Sequence, residues 1–306
     1  MVQNRRVVVV LVCFVAGVLV ARAVPSARSA APWFDRAVLW VALPALILVK
    51  LPALELGVDA AVPVAAAWGS LGVAAAVVWA GGRLGGWDRT TVGALLLVTP
   101  LGNTSFLGFA AVGALLGDDH LPAAIAYDQL GSFLALVTWG SLVAERFGGD
   151  GVGAGRSADL GSVVRRIVTF PPFAALCLSV PLRWVELAGG AERALAAVGG
   201  LVGPLAMVAI GLRFRLRVER RVLPPAALCV ATRLLLLPAI VLGVAAAAGG
   251  GTSWEAATLE SAMPPMVTAG IVATAAGLDD DLVATVVGWG LLASFVTLPA
   301  WAVLIR

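Results

Sequence analysis

The chain has 306 residues, 60% hydrophobic and only 13% charged, with a mean hydropathy of +0.99; soluble domains carry roughly 25% charged residues, so a water-soluble globular protein is excluded. A span needs roughly 20 apolar residues to cross about 30 Å of hydrocarbon, so this length holds at most about a dozen spans and no sizeable soluble domain. The net charge of +3 comes from 21 basic residues, Lys50 the one lysine among them, against 18 acids. That excess is too small to argue for nucleic acid in a membrane chain.

Hydropathy and helix breakers together predict an all-α polytopic protein of ten spans, at about 7–21, 36–51, 61–81, 92–117, 121–144, 163–184, 195–212, 222–248, 255–277 and 282–305. The first opens like a secretory signal, with Arg5 and Arg6, an apolar run and Ala-Arg-Ala at 21–23. It is kept as a helix because the repeat described below needs it. The stretch between Glu145 and Gly161 is glycine-rich and reads as a short cytoplasmic linker. The predicted organisation is therefore repeat 1 over 1–147, a linker over 148–162, and repeat 2 over 163–306, all one integral membrane domain. The cysteines Cys13, Cys177 and Cys229 sit in apolar runs without a CxxC and read as small lipid-facing or core residues, so no metal and no cofactor is expected.

Basic residues set the orientation. The connections after spans 1, 3, 5, 7 and 9 together carry Arg22, Arg28, Arg36, Arg83, Arg89, Arg146, Arg156, Arg165, Arg166, Arg213, Arg215, Arg217, Arg220 and Arg221. The opposite side carries only Arg5, Arg6, Lys50, Arg183, Arg193 and Arg306. The positive-inside rule then places both termini outside the cytoplasm of an inner or plasma membrane, which an even number of spans requires.

An internal repeat underlies this pattern. LGSFLALVTW from Leu130 and LASFVTLPAW from Leu292 match at an offset of 162, pairing Ser132 with Ser294, Phe133 with Phe295 and Trp139 with Trp301. The same offset pairs Gly108 with Gly270, and Asp118 and Asp119 with Asp280 and Asp281. Five spans per repeat is odd, so the halves are inverted, the construction of many secondary transporters.

Spans 4 and 9 are interrupted at equivalent places. Span 4 sets Pro100 and Gly102 beside Asn103, Thr104 and Ser105, and span 9 sets Pro264 and Pro265 beside Met263. Proline removes a backbone donor and disfavours helix before it, and unwound backbone survives in a membrane only inside protein or along a wet cavity. The expectation is a crossover that offers half-helix N-termini to a small anion; two ordinary proline kinks are the alternative.

Few charges fall inside spans: Asp128, flanked by Tyr127 and Gln129, Arg233, and Glu260. Asp128 reads as a proton site or orienting acceptor beside the crossover, or as a structural carboxylate paired with Arg233. Glu260 reads as a second coupling carboxylate or a complement to its half-helix, and Arg233 as a counter-ion or part of an anion path. His120 reads as an ordinary loop residue. The aspartates before spans 5 and 10 suit N-caps and the helix dipole better than a metal site, and the ten tryptophans, several near span ends, fit interfacial belts.

TPLGNTSFLGFAAVGALLG from Thr99, AIAYDQ from Ala124, VALPALIL from Val41 and LESAMPPMVTAGIVATAAGLDDDLVATVV from Leu259 resemble the auxin efflux carrier family of permeases, in the bile acid/arsenite/riboflavin transporter superfamily. The resemblance implies a homodimer of a sodium/proton antiporter-like fold. Spans 1, 2, 6 and 7 would form a scaffold, and spans 3–5 and 8–10 an elevator-type transport unit. The family's crossover prolines and asparagine correspond to Pro100, Asn103, Pro264 and Pro265. The long cytosolic loop of the plant carriers is missing, and Pro-Pro-Met stands in the second break where the family sometimes has asparagine.

The expected function is a permease for small organic anions such as carboxylates, with the bilayer as its surroundings and no nucleic acid partner. The substrate would sit on Pro100, Gly102, Asn103, Thr104, Ser105, Met263, Pro264 and Pro265. Asp128 or Glu260 would carry a proton, supported by Tyr127, Gln129 and Arg233. A sensor or channel on the same scaffold is the rival. A metal-dependent intramembrane enzyme is a weaker one, having no HExxH or GxSxG in its favour.

Overall fold

Long runs of alanine, valine and leucine fold here as helices whose backbone groups bond internally, the requirement that hydrocarbon imposes. The computed structural model describes residues 2–53, 58–148, 171–182, 184, 189–214 and 220–306, and its regular elements are helical. In chain order they are α1 (Val2–Ala23), α2 (Pro25–Lys50), α3 (Val58–Gly85), α4 (Arg89–Val98), α5 (Thr104–Leu115) and α6 (Asp118–Phe147), then α7 (Pro171–Leu182), α8 (Gly189–Leu212), α9 (Arg220–Ala248), α10 (Thr252–Ser261), α11 (Val267–Ala275) and α12 (Asp280–Ile305). Among the described residues, six helices are long and apolar enough to cross a membrane, namely α2, α3, α6, α8, α9 and α12. This is a multi-pass membrane protein.

Several boundaries differ from expectation. Span 2 begins at Pro25 rather than near 36, because a 3-10 turn over Pro25–Ala30 leads straight into helix. Span 4 starts at Arg89, capped by Asp88, whose Oδ1 accepts from the Thr91 N–H at 2.7 Å. The expected linker from 149 onward, residues 163–170 of span 6, and Arg215 and Arg217 of the arginine run lie outside the described residues.

Glycine governs the closest helix contacts. On α1 and α8, a Cβ on Gly17 would stand 3.0 Å from the Cα of Gly211, so the two backbones meet over paired glycines. A Cβ on Gly199 would stand 2.9 Å from the Cα of Leu46, the same device between α8 and α2. These helices and α7 pack together, while α3, α4, α6, α9, α10, α11 and α12 pack among themselves. A buried cluster including Leu43, Ile47, Val112, Ile125, Met207, Leu259 and Met263 joins the two groups.

The tryptophans divide into two sorts. Trp33, Trp40, Trp79 and Trp184 stand on exposed faces. Trp139 and Trp301 do not: their indole N–H groups donate to Leu96 O at 2.8 Å and Leu234 O at 2.7 Å. Each of those carbonyls lies four residues before a proline, Pro100 or Pro238, and so lacks its helical donor.

Candidate functional site

Helix α4 ends at Val98, and the chain turns through Thr99 and Pro100, runs extended to Asn103, and re-enters helix as α5. Helix α10 ends at Ser261, and α11 begins after Met266. The two breaks lie against each other. The Asn103 N–H donates to Pro264 O at 2.8 Å and the Met266 N–H donates to Leu101 O at 2.9 Å, so Gly102 and Pro265 face each other as an antiparallel bridge. The proline and glycine clusters read from sequence are therefore more than separate kinks: each break satisfies the other's backbone.

Two half-helix C-termini, those of α4 and α10, meet at this point and bring their partial negative ends together. Arg233 lies between them. It is buried on a π turn, Thr232–Leu236, its Nε donating to Met263 O at 2.9 Å and its Nη1 to Pro100 O at 3.2 Å. The expected pairing with Asp128 is corrected: among the described residues Arg233 binds backbone carbonyls, and its Nη2 has no hydrogen-bond partner. Carbonyls freed by a helix break are fixed acceptors that need no side-chain ordering, and here they outcompete a carboxylate on another helix.

Asp128 faces the start of α5 instead. It is buried on a second π turn, Tyr127–Phe133. Its Oδ1 accepts from Thr104 Oγ1 at 2.5 Å and Ser105 Oγ at 2.6 Å, and its Oδ2 accepts from Gln129 Nε2 at 2.6 Å. Thr104 and Ser105 lie on a third π turn, Thr104–Gly108. Such turns are single-turn expansions often found at functional sites. Asn103 is buried, and its backbone bonds across the break while its carboxamide makes no hydrogen bond among the described residues.

Glu260, in the last turn of α10, is fully buried with neither carboxylate oxygen hydrogen-bonded among the described residues. It rests on Gly108, where a Cβ would stand 2.8 Å from the Glu260 Cδ. Gly108 is thus a site residue not in the expected set; its signal was the match with Gly270. Thr99, buried beside Cys229 at the end of α4, is another.

The structure brings Pro100, Gly102, Asn103, Met263, Pro264, Pro265 and Arg233 together at the breaks, with Thr104, Ser105, Asp128 and Gln129 in a linked network. Tyr127 is buried beside Asp128 in a cluster with Ala67, Val241 and Ala257.

Polar pairs also lie at the helix ends. Asp118 and Asp119 stand in the first turn of α6, as the helix dipole favours, and the Asp118 Oδ2 accepts from Lys50 Nζ at 3.2 Å. His120 is not idle: its Nε2 lies 2.6 Å from Glu255 Oε2. Asp279 does cap α12, accepting from the Leu282 N–H at 3.2 Å, and also takes Thr91 Oγ1 at 2.7 Å and Arg221 Nη1 at 2.9 Å. Burial pushes its carboxyl up, but the Arg221 and Thr91 hydrogen bonds, the Leu282 N–H and the Arg221 charge together hold it below the ordinary carboxylate value.

Two cavities open beside the half-helices that leave the breaks. One of about 460 Å³ lies against α5, between α2 and α8, with Lys50 and Asp118 on its wall. The other, about 280 Å³, lies against α11 between α8 and α12 and is almost wholly apolar. Among the described residues no three His, Cys, Asp or Glu side chains converge as a metal cluster would.

A multi-pass membrane protein whose buried polar residues gather at two mutually bonded helix breaks is the class defined so far. Residues 156–302 match the family described as membrane transport protein. The chain is 30% identical over 277 residues to an uncharacterized transporter of Methanothermobacter thermautotrophicus, covering 89% of this chain and 88% of that one. A 91-residue stretch is 36% identical to an uncharacterized transporter of Methanocaldococcus jannaschii, covering 30% of this chain and 27% of that one. The chain belongs to this membrane transport family, that of the auxin efflux carriers.

Proposed function

We propose that the protein is a secondary transporter of small organic anions, chiefly carboxylates, whose substrate binds at the paired breaks. The observation that carries this reading is the free Asn103 carboxamide at the start of α5, beside Thr104 and Ser105, which Asp128 orients. The N-terminus of α5 contributes the positive end of its dipole. Arg233 holds the opposite, negative ends of the crossing together.

In this reading the ten spans form two inverted repeats. What supports the repeat is that one offset of 162 carries the start of α6 at Asp118 onto that of α12 at Asp280, and Trp139 onto Trp301. The helices α1, α2, α7 and α8 serve as scaffold, against which the remainder moves as an elevator. The protein sits in the cell membrane as a homodimer, both termini outside.

Proton coupling falls to Asp128 or Glu260. The donor count favours Glu260: Asp128 already accepts three hydrogen bonds, whereas among the described residues Glu260 has no donor on either oxygen. Asp128 then acts by orienting Thr104 and Ser105.

The test is uptake and efflux of labelled carboxylates, malonate and indole-3-acetate among them, in proteoliposomes with and without a pH gradient. Saturable flux that is lost in Asn103→Ala is the expected result. Folded protein with no flux for any acid overturns the substrate class.

A further inference from the structure

Arg233 Nη1 and Pro100 O form the hydrogen bond that ties α9 to the end of α4. Each partner stands on backbone disturbed by a proline, and each disturbance is repaired by an indole. Pro100 leaves Leu96 O without its helical donor, and Trp139 Nε1 supplies one at 2.8 Å. Pro238 does the same to Leu234 O, the residue after Arg233, and Trp301 Nε1 supplies the donor at 2.7 Å. A carbonyl left bare in a membrane interior is costly, so without the indole each turn relaxes toward another geometry.

We infer that Trp139 and Trp301 are positioning residues for the crossing, Trp139 aiming the Pro100 carbonyl and Trp301 aiming the Arg233 guanidinium at it. Neither indole belongs to the candidate substrate site. Trp301 acts through the Thr232–Leu236 π turn, where the Leu237 N–H donates to Thr232 O and skips the ordinary helical partner. That register presents Arg233 to Pro100 O and Met263 O together. The inference rests on the transport reading only in calling the crossing functional; the aim of the two groups is independent of any substrate.

The experiment is hydrogen exchange on the purified full chain without substrate, followed in segments 101–105 and 264–267, where the Asn103 and Met266 N–H groups join the breaks. Trp139→Phe and Trp301→Phe keep a ring and remove the donor. Each is expected to accelerate exchange in both segments about tenfold, the factor corresponding to one hydrogen bond. The double variant is expected within about threefold of either single one, because both act on one bond. Trp79→Phe, whose ring stacks on Arg83 at 4.0 Å, leaves both segments unchanged.

Three outcomes overturn the inference. They are acceleration confined to 95–100 for one variant and 233–238 for the other, factors that multiply to about a hundredfold in the double variant, and an even rise that includes α2 and α8. In proteoliposomes the same variants raise the KM for carboxylate. A wild-type chain without flux defeats the transport reading and leaves the exchange result to decide this one.

Discussion

Gly102 cedes its side-chain space to Arg233: a Cβ there would stand 2.7 Å from the guanidinium Cζ and closer still to Nη2. The guanidinium cannot retreat without leaving Met263 O and Pro100 O unbonded. Gly102→Ala is therefore expected to cost about 1–3 kcal/mol of stability, as overpacking of a tight interior does, and to abolish carboxylate uptake. Thermal unfolding with parallel flux assays checks both. Wild-type flux in this variant would mean that Arg233 does not hold the crossing.

Glu260 and Asp128 are distinguishable by their response to a proton gradient. Glu260→Gln is expected to transport without any dependence on the gradient. Asp128→Asn is expected to keep that dependence and to raise KM about tenfold, since Thr104 and Ser105 lose a carboxyl oxygen that accepts from both. The reverse pattern in proteoliposomes would assign the proton to Asp128.

Gly108→Ala tests the same carboxylate from the other side. A methyl at this position enters the space held by the Glu260 carboxyl group, whose Cδ would be 2.8 Å away. The variant is expected to reproduce the loss of gradient dependence seen in Glu260→Gln. It should leave the Asp128 network in place, because Thr104 and Ser105 precede the contact. Normal gradient dependence in Gly108→Ala would show that Glu260 tolerates displacement and does not couple.

Asp279 gives a pH dependence of stability with a definite sign. Its carboxyl is held below the ordinary value, so its contribution is present above the unfolded pKa near 3.9 and is lost as pH falls through the lower, folded value. Asp279→Asn is expected to be less stable by about 1 kcal/mol at neutral pH, the value of a hydrogen bond or two once solvent screens the half-exposed Arg221 charge. The gap should close as pH falls through the lowered, folded value. Unfolding curves of the two proteins across pH 2.5–7 measure it, and a gap that persists in acid would deny the ionised cap its role.

Much of the crossing was legible because its cause is local. Proline and glycine within an apolar run break a helix wherever they stand, and Pro100, Gly102, Pro264 and Pro265 mark both breaks. The partner of Arg233 was not legible. Pairing the few buried charges leads to Asp128, but the acceptors are Pro100 O and Met263 O, which exist as free groups only because the helices end there. Trp139 and Trp301 escaped for the same reason: composition assigns tryptophan to the interface, while the carbonyls they serve are exposed by prolines on other helices. Lys50 and Asp118, 68 residues apart, meet only through the packing of α2 against α6.

The breaks are held to each other through main-chain atoms, Asn103 N to Pro264 O and Met266 N to Leu101 O. Every amino acid except proline carries the same amide, so this suture is indifferent to the side chains at 103 and 266. Asn103, Thr104 and Ser105 are thus at liberty to diverge while the joint persists. A lineage built this way can change its cargo by exchanging a few side chains, without redesigning the hinge-point on which passage depends.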